Sequence, residues 1–151
     1  MTKRFGVDLK VSRWLLLIGL MCERLRRFDE AEQILNAIKA YRDDLPHPSA
    51  SLALCYMSQG KLRQALRELE VVHTDYPDFQ MGKVLLGFAQ RDAGQLGWQR
   101  LLEDVIRDGR EEYAVKLAEA ALGLELGTSV PAPPSGMPLA EHVPHAQRVY
   151  A

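Results

Sequence analysis

Apolar residues recur every three or four positions along most of the chain, the spacing that places them on one face of an α-helix. Polar or glycine-containing breaks separate these apolar segments. The pattern predicts seven helices, near residues 12–25, 29–42, 48–58, 62–75, 79–93, 97–108 and 111–125. We therefore expect an all-α fold in which short connections join neighbouring helices.

Two of the breaks share one pattern, in which a turn leads into a helix with a small residue at a fixed place. The segments are 26–31 and 60–65, and their small residues are Ala31 and Ala65. The spacing of these two alanines matches the period of about 34 residues that is typical of the tetratricopeptide repeat, a unit of two antiparallel helices. The repeat predicts an α-solenoid of about three helix pairs.

Small residues recur where the two helices of a repeat must approach closely, and a glycine recurs at the turn between them. The predicted repeat-packing residues are Gly19, Ala31, Ala53, Gly60, Ala65 and Gly87. The third repeat departs from the pattern, because Gln99 stands where alanine is expected. The amphipathic segment Glu111 to Leu126 follows it, and we expect this segment to cap the open end of the stack, since terminal repeats are usually atypical.

The composition changes after Gly127, where five of the chain's eight prolines occur among few large apolar residues. Such a segment cannot bury enough apolar surface to fold by itself. We predict two regions: a tetratricopeptide-like domain over residues 1–126 and a disordered tail over 127–151. The role of the tail does not follow from the sequence.

The net charge and the reactive residue types make several classes of function improbable. The 19 basic and 20 acidic residues give a net charge of -1, which does not favour nucleic acid or an acidic membrane surface as a partner. Cys22 and Cys55 lie in apolar helical segments, and His142 and His145 flank a proline with no further metal ligands nearby. No catalytic triad and no phosphate-binding loop is recognisable. We therefore expect neither catalysis nor a cofactor nor a bound metal.

The N-terminal apolar run from Trp14 to Cys22 follows basic residues, as in a secretory signal. It is too short to span a bilayer, charged residues interrupt it at once, and no cleavage site of small residues follows. We expect a cytoplasmic protein.

The first helices of stacked repeats line the inner, concave surface of the solenoid. The positions expected to face this groove hold large apolar side chains, whereas a groove that grips a peptide carboxylate would carry Lys, Arg and Asn. The predicted partner-binding residues are Leu16, Leu20, Leu54, Met57, Val84 and Phe88. An apolar groove suits the apolar face of an amphipathic helix. The alternative is that helix seven or the tail folds back and covers it.

Several segments resemble a known family: 79–86, 93–98, 114–122 and the run Asp29-Glu30-Ala31-Glu32. Over roughly residues 10–126 the chain resembles the short tetratricopeptide proteins of bacterial Hrp type III secretion clusters. It is also similar to the needle-subunit chaperones of the YscG and PscG type. Those chaperones hold the C-terminal helix of the needle subunit in their groove, together with a small helical co-chaperone. The resemblance implies that the six groove residues bind a secretion subunit.

Two functions follow from these expectations. The first is a bacterial cytoplasmic chaperone that keeps a self-assembling secretion subunit monomeric until export. The alternative is a structural or assembly component of the same apparatus that self-associates or is itself exported. The sequence identifies neither the bound subunit nor the oligomeric state.

Overall fold

The computed structural model describes residues 9–123, which form seven α-helices packed pairwise in sequence order. The helices are α1 (Leu9–Arg24), α2 (Phe28–Tyr41), α3 (His47–Ser58), α4 (Leu62–Asp75), α5 (Gln80–Asp92), α6 (Trp98–Asp108) and α7 (Glu112–Ala121). The predicted all-α fold of three helix pairs and a further C-terminal helix is confirmed. The predicted boundary at residue 126, the tail, and the two histidines of the tail lie outside the described residues.

The turn between the helices of each pair has one geometry in all three repeats. Arg26, Gly60 and Gly94 follow one another at the same interval as Ala31 and Ala65, and they adopt left-handed backbone angles, with φ of 60°, 74° and 70°. The next backbone N–H in each case donates to a carbonyl five residues earlier, which is how a helix end satisfies its last carbonyls. These bonds run from Arg27 to Cys22, from Lys61 to Tyr56 and from Gln95 to Gln90, each 2.8 Å. The repeat period seen in the sequence is therefore also present in the backbone.

Close packing within each pair depends on small residues in both helices. A Cβ atom added to Gly19 would lie 3.0 Å from Leu35 Cδ2, and one added to Gly87 would lie 3.0 Å from Leu102 Cδ2. The predicted packing alanines, Ala31, Ala53 and Ala65, are completely buried. Since protein interiors are close-packed, none of these sites has room for a larger side chain.

In the third repeat, the buried positions of the second helix come one residue earlier than the repeat period predicts. Leu35 and Leu69 are completely buried and one full period apart, but the next buried leucine, Leu102, comes one position before the period would place it. A second apolar series, Ile38, Val72 and Val105, has the same two spacings. Gln99 is exposed because the face of α6 is shifted by one position relative to the repeat.

The direction of curvature follows from which helices meet. α1 contacts α3, α3 contacts α5, and α5 contacts α7, whereas α2, α4 and α6 have no Cα atoms within 8 Å of one another. The first helices are therefore the crowded inner layer, and the second helices spread apart on the outside. The inner layer forms the concave surface on which a partner of a solenoid binds.

A polar cluster attaches α7 to the start of α5. The Glu111 carboxylate accepts hydrogen bonds from the backbone N–H groups of Gln80, at 3.1 Å, and Met81, at 3.2 Å. The buried Gln80 amide donates to the Asp108 carboxylate, and Arg110 bridges Asp108 and Asp78. Hydrogen bonds from Arg110 hold the pKa of Asp108 below its usual value. The seventh helix therefore packs against the third repeat and lies at the end of the stack.

Candidate protein-binding surfaces

The six predicted groove residues lie on the three inner helices α1, α3 and α5, but they are less exposed than the sequence suggested. Leu16, Leu20, Leu54, Met57 and Phe88 are half-buried, and Val84 is completely buried. The expectation that all six face outward is wrong for Val84. This residue packs with Leu102 and Val105 of α6 and with two alanines of α7, so it belongs to the core.

Four of the remaining side chains also touch the core. Leu16 packs against the first helix pair, Leu54 and Met57 pack against the middle of the stack, and Phe88 packs against the third repeat. These four residues therefore take part in packing as well as facing the inner layer. Each can present only part of its apolar surface to a partner. Leu20 belongs to none of the core clusters of the described residues, and it is the best mutational probe of the groove.

Polar groups lie beside the apolar positions of the inner layer. The Ser58 hydroxyl of α3 donates to the Glu23 carboxylate of α1, which links the first two inner helices. On α5, the Arg91 guanidinium lies 5.2 Å from the centre of the Phe88 ring and pairs with Asp92 at 3.0 Å. These groups mark one end of the groove as polar.

A cavity of about 240 Å³ opens beside Leu16, at the other end of α1. It is lined by Leu9, Ser12, Arg13, Leu16, Ile38, Leu45, His47 and Pro48. The Ser12 hydroxyl is buried there and has no hydrogen-bond partner among residues 9–123. The size and the mostly apolar lining suit one large apolar side chain of a bound helix.

A larger exposed apolar surface lies elsewhere on α1, and sequence reasoning missed it. Five exposed side chains form a stripe along this helix and the residue that follows it, here named the α1 face: Trp14, Leu17, Ile18, Met21 and Leu25. Trp14 and Leu25 are each 67% exposed. Exposed apolar side chains that are grouped on one face, and not scattered singly, are typical of an interaction site. The helical spacing of these residues was visible in the sequence.

Two titratable side chains, Cys55 and His47, take part in packing. Burial raises the pKa of the Cys55 thiol and so keeps it protonated. The His47 ring packs against Phe79 with 5.0 Å between ring centres. Among residues 9–123 no three His, Cys, Asp or Glu side chains are grouped as metal ligands would be. Within the same residues, no helix is both long and apolar enough to cross a bilayer.

The chain's fold is that of a tetratricopeptide-like helical repeat domain. It superimposes on the crystal structure of the Sgt2 TPR domain from Aspergillus fumigatus with a TM-score of 0.60, at 19% sequence identity and over 90% of each chain. No protein-family model and no curated protein matches the sequence. At this identity the similarity establishes the fold alone.

Proposed function

We propose that this protein binds an amphipathic helix of another protein along its concave surface. The observation that carries the proposal is the row of half-buried apolar side chains on the inner helices, Leu16, Leu20, Leu54, Met57 and Phe88. Such side chains still offer apolar area to a partner, and helix-in-groove binding uses anchors spaced along one helical face. Met57 adds an adaptable side chain to this row.

The bound protein, in this proposal, is a self-assembling subunit of a bacterial type III secretion system, and the chain acts as its cytoplasmic chaperone. The support is the sequence resemblance to the Hrp proteins and to needle-subunit chaperones. A subunit that polymerises through an apolar helix stays monomeric when that helix is buried against another protein. The alternative is a self-associating assembly component of the same apparatus.

Co-expression tests this function. The chain is produced together with a needle-type subunit from the same organism, and the soluble complex is measured by size-exclusion chromatography with mass determination. We expect a heteromeric complex that keeps the subunit soluble. Leu20→Glu should abolish it, because a charge buried against an apolar helix costs several kcal/mol, whereas a micromolar complex is worth only about 8 kcal/mol.

The matched control is Ala37→Glu, an exposed position on the outer helix α2. It introduces the same charge without touching the inner layer, so the complex should persist. A complex that survives Leu20→Glu would move the binding site away from the groove. A chain that forms concentration-dependent homo-oligomers and no complex with the subunit would support the assembly component instead.

A further inference from the structure

The α1 face occupies the positions that inner repeats use to pack on the repeat before them. Moving one repeat period forward from Trp14, Leu17, Ile18 and Met21 gives four buried residues of α3, and moving one more period gives four buried residues of α5. These are Pro48, Ser51, Leu52 and Cys55, then Gly82, Leu85, Leu86 and Ala89. The same side of the first helix is thus covered in two repeats and exposed in one.

In the two inner repeats, the cover is the second helix of the preceding repeat. Leu35 and Ile38 of α2 lie in one cluster with Leu52 and Cys55 of α3. Leu66 and Leu69 of α4 lie in one cluster with the equivalent residues of α5. Because α1 begins the described stack, no helix of residues 9–123 covers its face in this way. The missing cover would be an amphipathic helix.

The charge around the α1 face indicates which amphipathic helix fits. At about 3.6 residues per turn, Arg13 and Arg24 project from one side of the stripe, next to Leu17 and within a sector of about 20°. The single acidic residue of α1, Glu23, is bound instead to Ser58 of α3. The exposed part of α1 is therefore apolar with a basic border.

A basic border argues against an antiparallel second copy of α1 as the cover. Two α1 helices packed antiparallel about a two-fold axis would place the basic side of each beside the basic side of the other. Like charges brought together across an interface weaken it. An acidic border on the covering helix would stabilise it instead.

One covering helix within the chain, α2, pairs with the repeat that it covers through charged groups. Glu32 of α2 accepts hydrogen bonds from Gln59, at 2.7 Å, and from Lys61, at 3.0 Å, both in the covered repeat. Lys39 of α2 also pairs with Glu68 of the same repeat, at 2.7 Å. A covering helix can thus supply a carboxylate to basic groups of the repeat that it covers.

We propose that the α1 face docks an acidic amphipathic helix of another protein, in the place that the second helix of a preceding repeat would take. This surface is separate from the concave groove, so the proposal does not depend on the identity of the helix bound there. The docked helix would carry leucine- or isoleucine-like side chains at the spacing of Leu35 and Ile38, bordered by Asp or Glu.

The probe for this proposal is a peptide of residues 28–41, the helix that covers α3. It carries three acidic residues and one basic residue, and it contains no tryptophan. Because so short an isolated helix is marginal in water, the peptide is stapled between positions 33 and 37, which are both exposed. The readout is the indole N–H signal of Trp14 in the NMR spectrum of the full chain, assigned with Trp14→Phe.

We expect a saturable shift of the Trp14 signal on addition of the stapled peptide. A second peptide, with Asp29, Glu30 and Glu32 replaced by Lys, should have an affinity at least about tenfold lower. Met21→Glu in the protein should abolish binding. The matched control Tyr113→Glu, at a 79% exposed site on α7, should leave binding unchanged.

Four results would overturn the proposal. The first is a Trp14 signal that the acidic peptide does not move, and the second is equal binding of both peptides. The third is a Trp14 signal that depends on protein concentration without peptide, which would assign the face to a second copy. The fourth is a Trp14 indole shielded from solvent in the free monomer, which would show that another part of this chain covers it.

Discussion

The Glu111 carboxylate lies 3.1 Å from the backbone nitrogen of Gln80 and so caps the start of α5 from the residue that precedes α7. The first N–H groups of a helix have no partner within that helix, and side-chain caps typically stabilise proteins by about 1 kcal/mol. We therefore expect Glu111→Ala to lower the free energy of unfolding by about 1–2 kcal/mol. Urea denaturation followed by circular dichroism measures this. Glu103→Ala, at an exposed site on α6, is the control and should change stability little.

Arg26 occupies the left-handed turn position that Gly60 and Gly94 occupy in the other repeats. This conformation costs a residue with a Cβ atom about 1 kcal/mol, whereas glycine adopts it without that cost. Arg26→Gly should stabilise the fold by about 0.5–1 kcal/mol. Loss of the stacking of Arg26 on Phe28 reduces this gain. Gly60→Ala should destabilise it by a similar amount. A lower melting temperature for Arg26→Gly, or a higher one for Gly60→Ala, would contradict the equivalence of the two turns.

Ala65 is completely buried between the helices of the second repeat. A leucine there would force the helices apart, and overpacking typically costs about 1–3 kcal/mol. Ala65→Leu should therefore lower the melting temperature clearly. Ala37→Leu makes the same change at an exposed site in the middle of α2 and should not. Equal melting temperatures for the two variants would show that the repeat register is wrong.

The carboxylate of Glu32 gives stability a defined dependence on pH. Burial alone would raise the pKa of Glu32, but hydrogen bonds from Gln59 and Lys61 outweigh it, and the pKa is lowered from 4.5. A folded-state pKa below the unfolded value means that the stabilisation is present above pH 4.5 and is lost as pH falls through the folded pKa. Glu32→Gln should flatten this acid-side loss, measured by denaturation between about pH 3 and 6. An unchanged slope would mean that Glu32 is equally hydrogen-bonded when unfolded.

The fold was predictable because each repeat position has a steric role that the residue type reveals. Ala31 and Ala65 set the period, and all seven helices were found with most ends within a few residues. The shift of one residue in the third repeat was not predictable, because Gln99 showed only that the pattern was broken. The structure shows that Leu102 packs against Gly87 as Leu35 packs against Gly19, so the contact between the paired helices is kept despite the shift.

The candidate sites were harder to predict because a register position does not determine burial. Val84 was assigned to the groove by its position, but α6 and α7 close over it. Ile18 occupies the repeat position of Leu52 and Leu86, which are buried, but it is exposed because no helix of the described residues precedes α1. In both cases the difference arises at the ends of the described stack, where neighbours differ from those of an inner repeat.

The central claim is that the concave surface binds a partner's helix, and a methyl NMR map of the complex with the needle-type subunit tests it most directly. The predicted result is that the methyl signals of Leu20, Leu54 and Met57 shift on binding, while those of Val71, exposed on the outer helix α4, do not. Unshifted signals from these three groove residues in a saturated complex would contradict the claim.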